Sequence, residues 1–449
     1  MSLTTTKSDA WIARDKKVIA ACQHLSYYPL TIQKVEGEII FDQDDNQFID
    51  FLSSASSLNL GSSFPVVTEA IENQLKLYVQ YTPAYIYNTA NVGYAERLTS
   101  VYPGGIQTKV CFGNCGSDAN DAAIKFTRAY TRRSKIITFI NGYHGNTYGS
   151  MSLSAVTTRM RSKMGPFLPD IYSFPFYGDE LDDEVCEREC TKEIERAFET
   201  YLPAEEVAAV IIEPIQGDAG LIAAHKIFMK KLYALCKKNG ILFISEEVQQ
   251  AFFRTGKWFA IEHYNIVPDG VVLGKSIGAS LPLSAFMARA EIMDSLPAPA
   301  HLFTLGGHAL GCAAGCAAFD YMQGNEFQEI LTENENAMEK HLNAAMARFP
   351  EFVTGKRGKG MSRGLVLTKK DPKTGELIPD EEGTYKVLYR AYEKGLVIIS
   401  LGKNVLRIQP PLNIKPENLK RGFEILGESI QEFLDGKISD DVLRFRNGW

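Results

Sequence analysis

No apolar run in this 449-residue chain approaches the roughly 18 residues that a bilayer-spanning helix needs, so no membrane partner is expected. Dense basic clusters are missing too. The net charge is −6, and the pairs Lys237-Lys238 and Lys369-Lys370 read as solvated faces, which argues against a nucleic-acid partner. Met1 to Asp9 is Thr-rich and lacks the apolar centre of a signal peptide. Among the eight cysteines no pair has Cys-x-x-Cys spacing, and Cys312 and Cys316 fall four apart among alanines, as helix-packing residues do. These absences argue against a disulfide framework and the common zinc motifs. They predict thiols in a reducing compartment, hence a cytoplasmic protein without a bound metal.

What is present is the balance of an ordinary globular chain, with 45% hydrophobic and 23% charged residues, enough to build a large core. Strand and helix patterns alternate. An amphipathic helix is expected from Ala10 to about Tyr28, then a small hairpin, Thr31–Val35 and Glu38–Phe41, around Gly37. The strand Lys109–Phe112 runs through Gly113-Asn114-Cys115-Gly116-Ser117 into a helix from about Asp118 to Arg133. Val207–Glu213, Ile227–Lys238 and Ile241–Glu246 form a strand–helix–strand unit that predicts a parallel pair. Lys237, Lys238 and Gly240 supply the stop signals of its helix. The acidic tract Asp179–Glu184 reads as a solvated loop. The last hundred residues start over as a smaller α/β unit, with a strand expected at Leu396–Ser400, another at Val405–Ile408 and a final helix at Pro416–Leu434.

One lysine stands out. Lys275 follows the apolar strand Gly270-Val271-Val272-Leu273 and precedes a string of small residues. At a buried strand end its neutral amine is easier to form, and a neutral amine can form a Schiff base with an aldehyde; a lysine seen without that context reads first as a solvated loop residue. Gly113-Asn114-Cys115-Gly116-Ser117 joins strand to helix, where a phosphate meets free N–H groups and a favourable dipole; the simpler reading is a turn capped by Ser117. Asn141-Gly142-Tyr143-His144-Gly145 suits a flat ring stacked on Tyr143, or a turn with a packed tyrosine. Glu246 ends a buried strand and needs a partner, either a protonated ring nitrogen or a salt bridge. Glu213 and Asp218 lie five residues apart at a sheet's carboxyl edge, as a ligand crevice requires; Glu213 is expected to serve as a structural ion-pair partner.

Taken together, Gly116-Ser117, Tyr143-His144-Gly145, Glu213-Pro214-Ile215-Gln216-Gly217, Glu246-Glu247-Val248-Gln249, Arg254-Thr255-Gly256, Gly274-Lys275 and Thr304 resemble the class-III aminotransferases, fold type I enzymes that use pyridoxal 5′-phosphate (PLP). The resemblance runs from Phe48-Ile49-Asp50-Phe51 past Val405–Leu412. It implies an α/β fold: a large domain with a mostly parallel seven-stranded sheet plus a smaller C-terminal α/β domain. The implied divisions are an N-terminal segment, 1–60, packing with the small domain; a large PLP-binding domain, 61–325; and a small domain, 326–449. Lys275 looks like the lysine that binds PLP, Gly116 and Ser117 like the phosphate cup, Tyr143 and His144 like the ring-face pair, and Gln249 like the contact to the ring hydroxyl. Glu246 stands where the family's ring-nitrogen acid is nearly always Asp, which places the carboxylate one methylene further out. Thr304 normally reaches the neighbouring subunit's phosphate, so a homodimer at minimum is implied, with a homotetramer as the alternative. Arg407 matches an arginine that many members use for a substrate carboxylate, and Tyr85 and Ser54 are expected at the substrate's side chain.

The resemblance extends to a racemase and epimerase branch, through Asp218 where aminotransferases usually carry Glu, through Gly116-Ser117-Asp118-Ala119-Asn120, and through Pro282–Ala285, Ala298–Thr304 and Gly448-Trp449. It implies an amino-acid 2-epimerase or racemase for bulky apolar substrates of the isoleucine or valine type. In that reading Lys275 and Asp218 exchange the Cα proton from opposite faces; Asp218 could instead pair with Arg407. An ω-aminotransferase of the 4-aminobutyrate type is the second reading. A non-catalytic PLP-binding protein is the third, and the intact Lys275 argues against it.

Overall fold

The computed structural model describes residues 3–446; Gly448-Trp449, cited above, lies outside them. Contacts divide the chain into two units, one built from the chain up to Phe64 and from Asn325 onward, the other spanning Pro65–Gly324.

The Pro65–Gly324 unit is built on a seven-stranded sheet in the order Thr108–Gly113, Ser284–Arg289, Gly270–Leu273, Leu242–Glu246, Val207–Ile212, Lys135–Phe139, Ile171–Phe174. Ser284–Arg289 runs antiparallel to both of its neighbours, while the other neighbouring pairs are parallel. Val207–Ile212 and Gly270–Leu273 are buried throughout, which is why they read as continuous apolar runs rather than alternating ones. The Gly116–Thr131 helix buries Ala119, Ala122, Ala123, Ile124 and Phe126 against the sheet. The expected parallel pair is present, with Ile244 opposite Ile211. Its helix, Lys226–Asn239, ends at Gly240 in a left-handed conformation (φ +62°), whose N–H caps the carbonyls of Cys236 and Lys237.

The other unit holds a four-stranded sheet ordered Ile32–Glu36, Ile39–Asp42, Gln47–Asp50, Leu396–Val397, and a second sheet containing Ser362–Lys370 and Val405–Ile408. Two expected elements change here. The first helix is Thr6–Val18, not Ala10–Tyr28. The chain leaves it because Tyr27 and Tyr28 are needed elsewhere: their hydroxyls donate to the carbonyls of Ser400 and Ile398, and Tyr28 stacks on Tyr392 with centroids 4.5 Å apart. The expected strand Leu396–Ser400 is two strands in two sheets, Leu396–Val397 pairing with Gln47–Asp50 and Ile399–Leu401 pairing with Val405–Ile408.

In the Pro65–Gly324 unit the acidic tract 179–184 is not simply a loop. Asp182 accepts the N–H groups of Glu184 and Val185 and caps a helix, Asp183–Glu189. Acids in the first turn suit a helix dipole.

Candidate active site

Five parallel strands of the Pro65–Gly324 unit end at one edge, at Gly113, Phe139, Ile212, Glu246 and Leu273, and the crevice outside such ends is where α/β sheets bind ligands. Glycines let the segments after these strands close up. A Cβ on Gly116 would lie 2.9 Å from Val248 Cγ1, and one on Gly274 would lie 3.0 Å from the same atom and 3.2 Å from Gly116 Cα. Gly145 (φ +128°) would drive a Cβ to 2.2 Å from Ser117 Oγ. Ser117 is therefore not the cap. Cys115 holds the N-cap position, and Ser117 Oγ instead accepts the Asn146 N–H at 3.0 Å, tying the 141–147 loop to the helix start.

These segments enclose a cleft of about 180 Å³ that brings together Gly116, Ser117, Tyr143, His144, Asp218, Glu246, Gln249 and Lys275. Cys115, Gly145, Glu213 and Val248 complete its wall. Lys275 is half-buried in the left-handed region (φ +50°) immediately after the Gly270–Leu273 strand, the kind of uncommon backbone that marks functional positions. Asp218 is buried in a turn that ends on Gly220 and Leu221, both at positive φ, and the Gln249 amide lies 3.5 Å from Asp218 Oδ1. Gly217 allows this approach, since a Cβ there would sit 2.4 Å from Gln249 Oε1.

Carboxyl groups dominate the electrostatics. Glu213 accepts the N–H of Tyr143 at 2.8 Å on one oxygen and that of Gly217 at 3.0 Å on the other. Glu213 thus clips two loops together, because buried amides need acceptors, while the charge of Lys275 favours its ionised form. Burial pushes its pKa up to about 8 despite those two bonds. Burial, followed by the charge of Glu213, raises Glu246 well above the ordinary carboxyl range. Its Oε1 lies 3.3 Å from the Asn120 amide nitrogen, and its Oε2 accepts the Val248 N–H at 3.3 Å. Burial pulls His144 down to about 3, so the imidazole is neutral; its Nδ1, 4.0 Å from Glu246 Oε1, forms no ion pair. Burial also raises the Tyr143 phenol to about 12, with Asp218 and Glu246 adding to the shift. The neighbouring Glu247 turns away, accepting the Ser245 hydroxyl and the N–H groups of Ala260 and Ile261.

The other candidates lie elsewhere. In the Pro65–Gly324 unit, Thr304 and Tyr85 are exposed and lie outside the cleft lining. Arg407 and Ser54 belong to the other unit. Arg407 is buried, with Nε against Gln409 Oε1 and Nη2 3.4 Å from Ser56 Oγ. Ser54 sits exposed in a left-handed turn, with φ of +48°, +46°, +57° and +67° at Ser53, Ser54, Ala55 and Ser56. Such backbone costs roughly 1–2 kcal/mol per non-glycine residue; Asp50 Oδ1 steadies its start by accepting the N–H groups of Leu52 and Ser53 at 2.7 and 2.8 Å.

The cleft fits PLP. It offers an amine, a buried acid, a tyrosine ring and the N-terminus of a 16-residue helix. Two buried polar atoms beside it, His144 Nδ1 and Asn120 Oδ1, have no hydrogen-bond partner, as expected where a polar ligand completes the set. The family model described as aminotransferase class-III matches residues 20–430. The chain belongs to the class-III aminotransferase family. It is 38% identical over 452 residues to an isoleucine 2-epimerase of Lentilactobacillus buchneri, covering 99% of each chain. A leucine/methionine racemase of Thermococcus litoralis is 36% identical, with 98% of this chain and 99% of the relative covered. Among solved structures, a Bacillus anthracis aminotransferase superposes with a TM-score of 0.85 at 27% identity, over 96% of this chain and 100% of that one. Membership of this family makes the protein a PLP-dependent enzyme.

Proposed function

We propose that this enzyme is an amino-acid 2-epimerase or racemase acting on bulky apolar amino acids. The observation that carries the reading is that two proton carriers of different type, Lys275 and Asp218, line one cleft with Glu246 and Tyr143. The epimerase and racemase relatives, alike over nearly their whole length, support it.

When bound, PLP supplies an electron sink that makes the substrate's Cα–H acidic. Gly116 and Ser117 would hold its phosphate at the helix N-terminus, Tyr143 and His144 would face its ring, Gln249 would serve the ring hydroxyl, and Glu246 would hold the ring nitrogen. Lys275 would anchor the cofactor and move the Cα proton on one face; Asp218 would move it on the other. For the substrate itself, the family pattern offers Arg407 for the carboxylate and Tyr85 and Ser54 for the side chain. Inversion returns a proton to Cα and leaves the amino group on the substrate, so it needs no 2-oxo acid. Incubation with L-isoleucine should therefore yield D-alloisoleucine at the same rate with or without an added 2-oxo acid. Nitrogen transfer that occurs only with the 2-oxo acid would make the enzyme an aminotransferase instead.

The working form is a homodimer or a homotetramer, a pair of such dimers. Leu75, Leu77, Val79, Tyr81, Tyr85, Ile86 and Tyr87 are exposed along one stretch of sequence, and clustered exposed apolar residues suit an interface. Gln80 bonds the Thr304 carbonyl at 3.5 Å and the Ala309 N–H at 3.1 Å, which sets Thr304 beside that stretch. The exposure of Thr304 outside its own cleft supports the reading that it serves a second copy's phosphate. Light scattering should give two or four chain masses; a monomer at working concentration would remove Thr304 from the site. The cysteines are all free thiols, which supports a cytoplasmic location.

A further inference from the structure

Asn120 is fully buried on the second turn of the Gly116–Thr131 helix. Side chains on a helix lean toward its N-terminus, so this one leans back toward the cleft. Its Nδ2 meets three oxygens on three segments: the Gly116 carbonyl at 3.1 Å, the His144 carbonyl at 2.8 Å and Glu246 Oε1 at 3.3 Å. The nitrogen must face this way, because the reversed amide would set Oδ1 against three acceptors. An amide carries only two hydrogens, so the longest contact, to Glu246, is a shared one that leaves Oε1 with capacity for another donor. The second oxygen of Glu246 is held by the Val248 N–H.

We propose that Asn120 is a positioning residue that makes glutamate workable at position 246: its amide and the Val248 N–H each hold one carboxylate oxygen and so aim the longer side chain into the cleft. The proposal rests on Glu246 as the partner of the ring nitrogen. A glutamate has one more rotatable bond than an aspartate and, unheld, spreads its carboxylate over several rotamers. An aspartate ends one methylene short of the Asn120 amide. The two positions should therefore be coupled, and Asn120 should matter far less in a Glu246→Asp background.

The test is a cycle of wild type, Asn120→Ser, Glu246→Asp and the double variant. Serine can still bond the Gly116 carbonyl four residues back, so the helix start is kept, but it cannot span to Glu246. Two readouts are followed: α-hydrogen exchange of L-isoleucine in deuterated water, and the pH midpoint of the bound cofactor's visible absorbance, which reports on the ring-nitrogen partner even where exchange is too slow to measure. With Glu246 present, Asn120→Ser should slow exchange about tenfold, as expected for losing one hydrogen bond to a charged group, and should shift the midpoint. In the Glu246→Asp background the same substitution should change exchange by no more than about twofold, the scatter of independent sites, and leave the midpoint in place. Equal losses in both backgrounds, accompanied by equal drops in cofactor affinity and thermal midpoint, would overturn the proposal and leave Asn120 a tie between Gly116 and His144. The underlying reading fails separately: Glu246→Gln would then exchange at the wild-type rate.

Discussion

Lys275→Ala is expected to abolish turnover, by at least ~10⁴, since a positioned acid/base alone is worth ~10²–10⁴ and Lys275 would also be the cofactor's covalent anchor. The size of the effect follows from where the amine sits. The Gly270–Leu273 strand is buried along its whole length, so it delivers Lys275 to the cleft from a rigid support. Gly274 lets that delivery pass within contact distance of Gly116 and Val248. Among the described residues no other lysine lines the cleft, so none is placed to substitute. Alanine adopts φ +50° no less readily than lysine, and the fold should survive. Borohydride reduction followed by peptide mapping should label Lys275 in the wild type and fix no cofactor in the variant. A label on a different lysine, or turnover within tenfold of wild type, would remove Lys275 from both roles.

How much of this was readable from residues alone differs by element. The Val207–Ile212, Lys226–Asn239, Leu242–Glu246 unit was legible because strand burial, helix periodicity and the Gly240 cap are all local and agree. The first helix was not, because what ends it is remote: Tyr27 and Tyr28 pair with carbonyls more than 300 positions later in the chain. The 179–184 tract looked like a solvated loop because charge density outweighed the capping signal of Asp182. The cleft residues were legible as motifs at strand ends. Asn120 was overlooked as a site residue, although it stands four residues after Gly116, the spacing that turns a side chain back toward a helix start. Nothing local announced the left-handed turn at Ser53–Ser56, which contains no glycine and is steadied by Asp50 and by the Ser56 bond to Gln409 at 2.8 Å. Glu213 was seen as an acid in need of a charged partner; the Lys275 charge does act on it, but its bonds to backbone amides of two loops leave no trace in side-chain chemistry.

Asp218→Asn is the second large effect expected, a loss of ~10²–10⁴ in inversion, the usual range for a positioned acid/base. A two-base mechanism makes a directional demand that the variant can test. Asparagine keeps the size of the side chain and its place beside the Gln249 amide, but it cannot take a proton. Lys275 is untouched, so both enantiomers should still bind and perturb the cofactor's spectrum. In deuterated water the variant should wash out the α-hydrogen of one enantiomer while inverting neither. The turn itself should hold, since Gly217 is fixed by its N–H bond to Glu213 and Gly220 keeps the positive φ the chain needs there. Near wild-type interconversion would mean that Asp218 acts as a charge partner and not as a base. The second proton would then have to come from another wall of the cleft, where Tyr143, with its phenol pushed up to about 12, is the candidate acid. A Tyr143→Phe variant that lost inversion while Asp218→Asn kept it would complete that reversal.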